Sequence, residues 1–238
     1  MQPEYLVRLA EPLRELVSEI ERNAGIDIAV VLDPRLNGGG PHGQGQLEVI
    51  IEAQRNLLCA PTNGYFPDGA VRHELLHLKR FHVEGVPKLA LADAEEWDQA
   101  FTDALAELDN AIEHVLIVPE ELHFHPERRE HWEAVMRNVC GGLPGVPLGE
   151  RSLAVCLHWT FLRCVLPLSP SVDTAKRFAE KHALLEVADR FADQFQSVAT
   201  SKERIVDLLC LTFPEFPKNR VALEYVNSVT GSRQERLT

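Results

Sequence analysis

The apolar positions change period several times along the 238-residue chain, and the changes divide it into elements. Leu6, Leu9, Leu13, Leu16, Val17 and Ile20 recur at helical spacing, predicting an amphipathic helix that stops at Asn23 to Gly25. Ile26 to Leu32 is a continuous apolar run of strand length, and Leu47 to Ile51 is a second. Between them, Asp33 to Gly45 carries Gly38, Gly39, Gly40, Gly43 and Gly45 and reads as a surface loop that holds no helix. The turn residues Pro61 to Gly64 precede a helical segment over Asp68 to Phe81, with Asp68 as its N-cap and Gly85 and Pro87 beyond its end.

A second strongly periodic helix opens at a capping box formed by Asp93 and Glu96. It shows one face through Trp97, Phe101, Leu105, Leu108, Ile112 and Leu116, and Pro119 ends it. Beyond Pro126 the pattern predicts helices near Glu127–Val139, Leu153–Val165, Val172–Val198 and Glu203–Leu211, with Trp132, Trp159 and Phe161 in their core. The proline and glycine stretch Gly141 to Gly149 is the natural boundary. It separates residues 1–142 from a helical region, 150–238, that either stands apart or belongs to the same domain.

Composition narrows the function classes. A formal charge of −12 argues against phosphate backbones as partners, so nucleic acid is not expected. The glycine-rich loop is followed by neither a Lys-Ser nor a Lys-Thr pair, nor directly by a helix, and so lacks the features of a phosphate cradle. The five cysteines fall in no CxxC spacing, which suggests neither a disulfide framework nor a thiolate metal site. No segment has the roughly 20 apolar residues of a membrane span. Met1 to Gly25 lacks the uninterrupted apolar stretch of a signal peptide, and a cytoplasmic location is expected.

One segment carries chemistry. In His73-Glu74-Leu75-Leu76-His77 the histidines stand at i and i+4, one turn apart on the same helical face, where both imidazoles can reach one cation. Glu74 then lies beside that cation, placed to take a proton from water. Leu75, Leu76 and Leu78 give the helix a buried side, and Arg72, Lys79 and Arg80 a solvated one.

This HExxH stretch resembles the active-site helix of the zincin metallopeptidases, and the likeness extends loosely to the strand, strand, helix, helix order of residues 1–118. The resemblance implies an α+β fold with a small mixed sheet, Zn2+ as cofactor, His73 and His77 as ligands, and Glu74 as general base. The metzincin branch would need glycine at position 80 and histidine at 83, where this chain has Arg80 and Val83; His82 is one position out of register. The gluzincin branch places a glutamate ligand on a second helix. Glu113 fits that place, with His114 and Asp109 as alternatives, although Ile112 stands where that branch has asparagine. His123, His125 and His131 form a further cluster that either approaches the site or lies in a partly exposed loop.

The expectation is a zinc-dependent hydrolase, in first place a metallopeptidase with a protein or peptide substrate, and the strand at Leu47–Ile51 offers an edge for an extended peptide. The alternatives are a zinc hydrolase of a small amide, or a zincin-derived binding module whose C-terminal helices engage a protein partner.

Overall fold

The computed structural model describes residues 1–38, 46–52, 55–93, 98–227 and 231–237, and the fold is α+β. It divides into two compact units, residues 1–88 with 224–235 and residues 89–223 with 236–238. Residues Gly141 to Gly149 lie within the second unit. Among the described residues, no helix is long and apolar enough to cross a membrane.

In the first unit, a short helix α1 (Pro3–Leu6) precedes α2 (Glu11–Ala24), so the continuous N-terminal helix read from the periodicity is two. Pro12, in the first turn of α2, is the reason: it has no N–H to donate and its ring collides with the carbonyl four residues back, but it suits a helix start. Helix α2 buries Leu13, Leu16, Val17, Ile20 and Ala24 along one stripe and ends at Gly25, whose φ of 69° lies in the left-handed region. Strands β1 (Ile28–Leu32), β2 (Glu48–Glu52) and β3 (Arg55–Ala60) form a sheet of order β1-β3-β2, in which β3 is parallel to β1 and antiparallel to β2.

The central strand β3 escapes the sequence pattern because it is covered on both faces and so does not alternate. The run at Ile26–Leu32 is only partly buried: Ile28 and Val30 point inward, while Val31 and Leu32 are exposed. The outer edge of β1 is blunted by side chains. The Gln2 amide donates to Val30 O at 3.0 Å and accepts from Val30 N at 2.8 Å, standing in for a ladder partner, and Glu21 accepts from Ile28 N at 2.9 Å. Of the glycine-rich segment, Pro34–Gly38 forms a 3-10 turn, and residues 39–45 lie outside the described residues.

Helix α3 (Asp68–His82) packs on this sheet and on α2. Asp68 is its first residue and Pro67 its cap; the Asp68 carboxylate instead accepts from Ala10 N at 3.3 Å. Val71, Leu75 and Leu78 join Leu13, Ile20, Ile28 and Leu58 in the core of the unit. Strand β4 (Lys88–Leu91) follows and belongs to a second three-stranded sheet of order β4-β5-β6, with β5 (Val221–Asn227) and β6 (Gly231–Arg236). None of these three was anticipated, and the C-terminal region, read as mostly helical with its last helix at Glu203–Leu211, closes in strands.

The second unit begins with the 26-residue helix α4 (Gln99–Phe124). Its cap is Asp98, which accepts from Phe101 N at 3.2 Å; residues 94–97, including Glu96 and Trp97, lie outside the described residues. The helix does not stop at Pro119. The proline removes one helical hydrogen bond, but Val118 and Glu121 beside it are fully buried, and their packing and pairing hold the last turns in place. Helices α5 (Arg129–Gly142), α6 (Leu148–Cys164), α7 (Ser171–Lys181), α8 (Leu185–Val198) and α9 (Lys202–Thr212) complete the unit.

The single helix expected over Val172–Val198 is broken between α7 and α8 by a residue that carries no breaker signal. Ala183 adopts φ 55° in the left-handed region. Ala183 N donates to Glu180 O at 3.1 Å and Leu184 N to Ala179 O at 2.8 Å, which is a Schellman stop with alanine where glycine is usual. Relief of the Cβ strain there predicts that Ala183→Gly raises the unfolding free energy by roughly 1 kcal/mol, less the entropy glycine adds to the unfolded chain. Urea unfolding measures it, and a net loss of stability would contradict the strain.

Candidate metal site

The i, i+4 spacing of His73 and His77 is realised on α3. Their ring centroids lie 5.0 Å apart, with the planes at 85°. His73 is buried at 7% exposure and His77 is half-buried. The helix that carries them is held by its other face, where Val71, Leu75 and Leu78 fill the core, so the two imidazoles sit on a support with little freedom to turn. Glu74, half-buried, follows His73 directly. Its charge is felt at Cys59 on β3, a thiol pushed up from its ordinary pKa by burial first, then by the Glu48, Asp33 and Glu74 carboxylates.

His73, His77 and His114 form a group that could bind a metal ion. Each offers one imidazole nitrogen, and these nitrogens lie within 4.8 Å of one another. Histidine nitrogens are good ligands for zinc and for other first-row divalent ions, and three of them leave a tetrahedral position open.

The other two candidates for the third position have a different partner. Asp109 and Glu113, one turn apart on α4, close on the ammonium of Lys202 at the start of α9, with Nζ 2.6 Å from Asp109 Oδ1 and 2.7 Å from Glu113 Oε1. Asp109 Oδ1 also accepts from Leu89 N at 3.0 Å. Lys202 is 2% exposed. Burial alone would lower its pKa, but the two carboxylates outweigh that and hold it above the ordinary lysine value. Glu113, the residue that the gluzincin resemblance put in the third position, is thus paired with a lysine 89 positions further on, and the next residue, His114, belongs to the histidine group. No local signal marks Lys202 as buried; its place at the first turn of a capped helix suggests a solvated end.

His82, at the end of α3, is half-buried. Its Nε2 lies 2.9 Å from Oδ1 of the fully buried Asn56, and burial, then Lys88, lowers its pKa. Among the described residues, none of His123, His125 and His131 belongs to the group. His123 is exposed against the Phe124 ring, His125 Nδ1 lies 3.1 Å from Glu127 Oε1, and His131 packs edgewise on Trp132.

Sequence reading took Trp132 only as core. It is buried, and its indole stands against the His114 imidazole with ring centroids 4.9 Å apart and planes at 70°. Its Nε1 donates to Glu121 Oε2 at 3.0 Å, while Arg128 Nε donates to Glu121 Oε1 at 2.6 Å. On α6, His158 has a pKa pushed down to about 4 by desolvation.

No family model, no curated protein and no solved structure matches this chain.

Two predictions concern these buried titratable groups. Lys202→Met leaves two carboxylates buried without their cation and should cost about 3–5 kcal/mol in urea unfolding at pH 7. Adding Asp109→Asn and Glu113→Gln should recover part of that loss; a single variant as stable as the wild type would contradict the buried pairing. His158, with its folded pKa below the unfolded value, stays neutral while the unfolded chain takes up a proton. Stability should therefore fall as pH drops from about 6.5 towards 4, by at most about 3 kcal/mol. His158→Gln should flatten that part of the stability-against-pH curve, and an unchanged acid limb would refute the assignment.

Proposed function

We propose that the chain is a metal-dependent hydrolase of amide bonds, with zinc held by His73, His77 and His114 and with Glu74 as general base. The observation that carries this reading is the three-histidine group with a carboxylate one residue past its first member. Three neutral imidazoles would leave the ion its full double charge, where a carboxylate in Glu113's place would cancel part of it. Zinc in such a site would supply Lewis acidity that brings the pKa of water far down, to about 7.

The chain's own part is positional and protonic. Helix α3 fixes His73 and His77 through its buried leucines. Glu74, beside them and half-buried, takes a proton from the attacking water and returns it to the departing amine, a role worth roughly 10²–10⁴-fold in rate. A peptide is the first substrate class, in keeping with the zincin resemblance of the HExxH stretch; a small amide is cleaved by the same chemistry.

Metal analysis by mass spectrometry should find about one zinc ion per chain in the wild type, lost in His73→Ala, held more weakly in His114→Ala, where two imidazoles remain, and kept in Glu113→Gln. The zinc-loaded protein should cleave a peptide library, and Glu74→Gln should abolish cleavage while keeping the metal. No metal even after zinc loading would sink the reading. Metal bound without hydrolysis of any peptide or small amide would leave a binding module in its place.

A further inference from the structure

The Glu121, Arg128 and Trp132 network has no part in the hydrolytic scheme, yet its last member touches the His114 imidazole. Glu121 stands seven residues after His114, two turns along the same face of α4, and is 0% exposed. A carboxylate with no access to water is tolerated only where donors replace its hydration, and here Arg128 and the Trp132 indole N–H take one oxygen each. Every displacement of the indole therefore breaks a hydrogen bond to a buried charge. The indole is braced further by Phe161, whose ring centroid lies 5.4 Å away at 42°.

We propose that Trp132, tethered by Glu121, is a positioning residue that holds the His114 imidazole in its metal-ligating orientation; this rests on the metal reading above. The edge-to-face contact sets the tilt of the His114 imidazole against an indole that is itself held by its hydrogen bond to Glu121. A phenylalanine at 132 would keep an aromatic face but lose the tether, and a leucine would lose both.

Zinc affinity measured by competition with a chromogenic chelator tests this in the full chain, for the wild type, Trp132→Phe, Trp132→Leu, His114→Ala and the His114→Ala/Trp132→Phe double variant. Circular dichroism confirms that each is folded. Trp132→Phe should weaken zinc binding roughly tenfold or more, as loss of a partner behind a metal ligand does, and Trp132→Leu should weaken it further. In the His114→Ala background Trp132→Phe should change nothing more, because the indole acts only through that imidazole. Equal affinity in the wild type and Trp132→Phe, or equal weakening with and without His114, would overturn the positioning role while leaving the metal reading in place. A wild type that binds no zinc would overturn the metal reading and this inference with it. Should Trp132→Phe fail to fold, Glu121→Gln serves instead: it keeps an acceptor for the indole but loses the charge pairing with Arg128, and a smaller loss of affinity, absent in the His114→Ala background, is expected; no loss would count against the tether.

Discussion

Burial of α3 is the constraint on which the first unit depends. Val71, Leu75 and Leu78 lock into the same core as Leu13, Leu16 and Ile20 of α2 and Ile28 and Leu58 of the sheet. Close-packed side chains of this kind do not slide or rotate without opening cavities, so the orientation of α3 about its own axis is determined by its leucines. His73 and His77 occupy the positions those leucines leave over. The chain thereby separates two tasks within one helix: one set of residues holds it, and another presents imidazoles.

In the second unit, α4 is held by charge as well as by apolar packing. Ile112, Ile117 and Val118 are buried in the ordinary way, but so are Asp109, Glu113 and Glu121, which bind Lys202 in one case and Arg128 with Trp132 in the other. A helix with three carboxylates on its covered sides would be unstable alone. It becomes stable once the cations of α9 and of the turn before α5 replace the lost water, and in return those pairings are specific where hydrophobic contact is permissive. His114 lies between the two networks in sequence, next to Glu113 and seven residues before Glu121. Its neighbourhood is therefore set by pairings on either side of it.

Helices were more legible than strands. The stripes of α2, α5 and α9 follow from spacing, because each buries one face and solvates the other. Helices α3 and α6, covered around most of their circumference, were legible from their length and the turn residues that flank them. Strand β3 was missed since both its faces are covered, and the closing strands β5 and β6 were missed because no element was assigned beyond Leu211 in a region read as mostly helical. Pro119 was read as a stop and is not one, while Ala183 stops a helix without any residue signal. In both cases contacts made elsewhere outweigh a local preference of about 1–3 kcal/mol.

The sequence by itself determined the α+β class and the pairing of His73 with His77 across one helical turn, because both follow from the 3.6-residue period and from the leucines that decide which face is buried. Only the tertiary structure sets Asp109 and Glu113 against Lys202, a lysine 89 positions beyond Glu113, and groups His114 with His73 and His77 as residues that could share a metal ion. Helical periodicity says which side of a helix is covered. It carries no record of which charge from a distant part of the chain will be brought against that side.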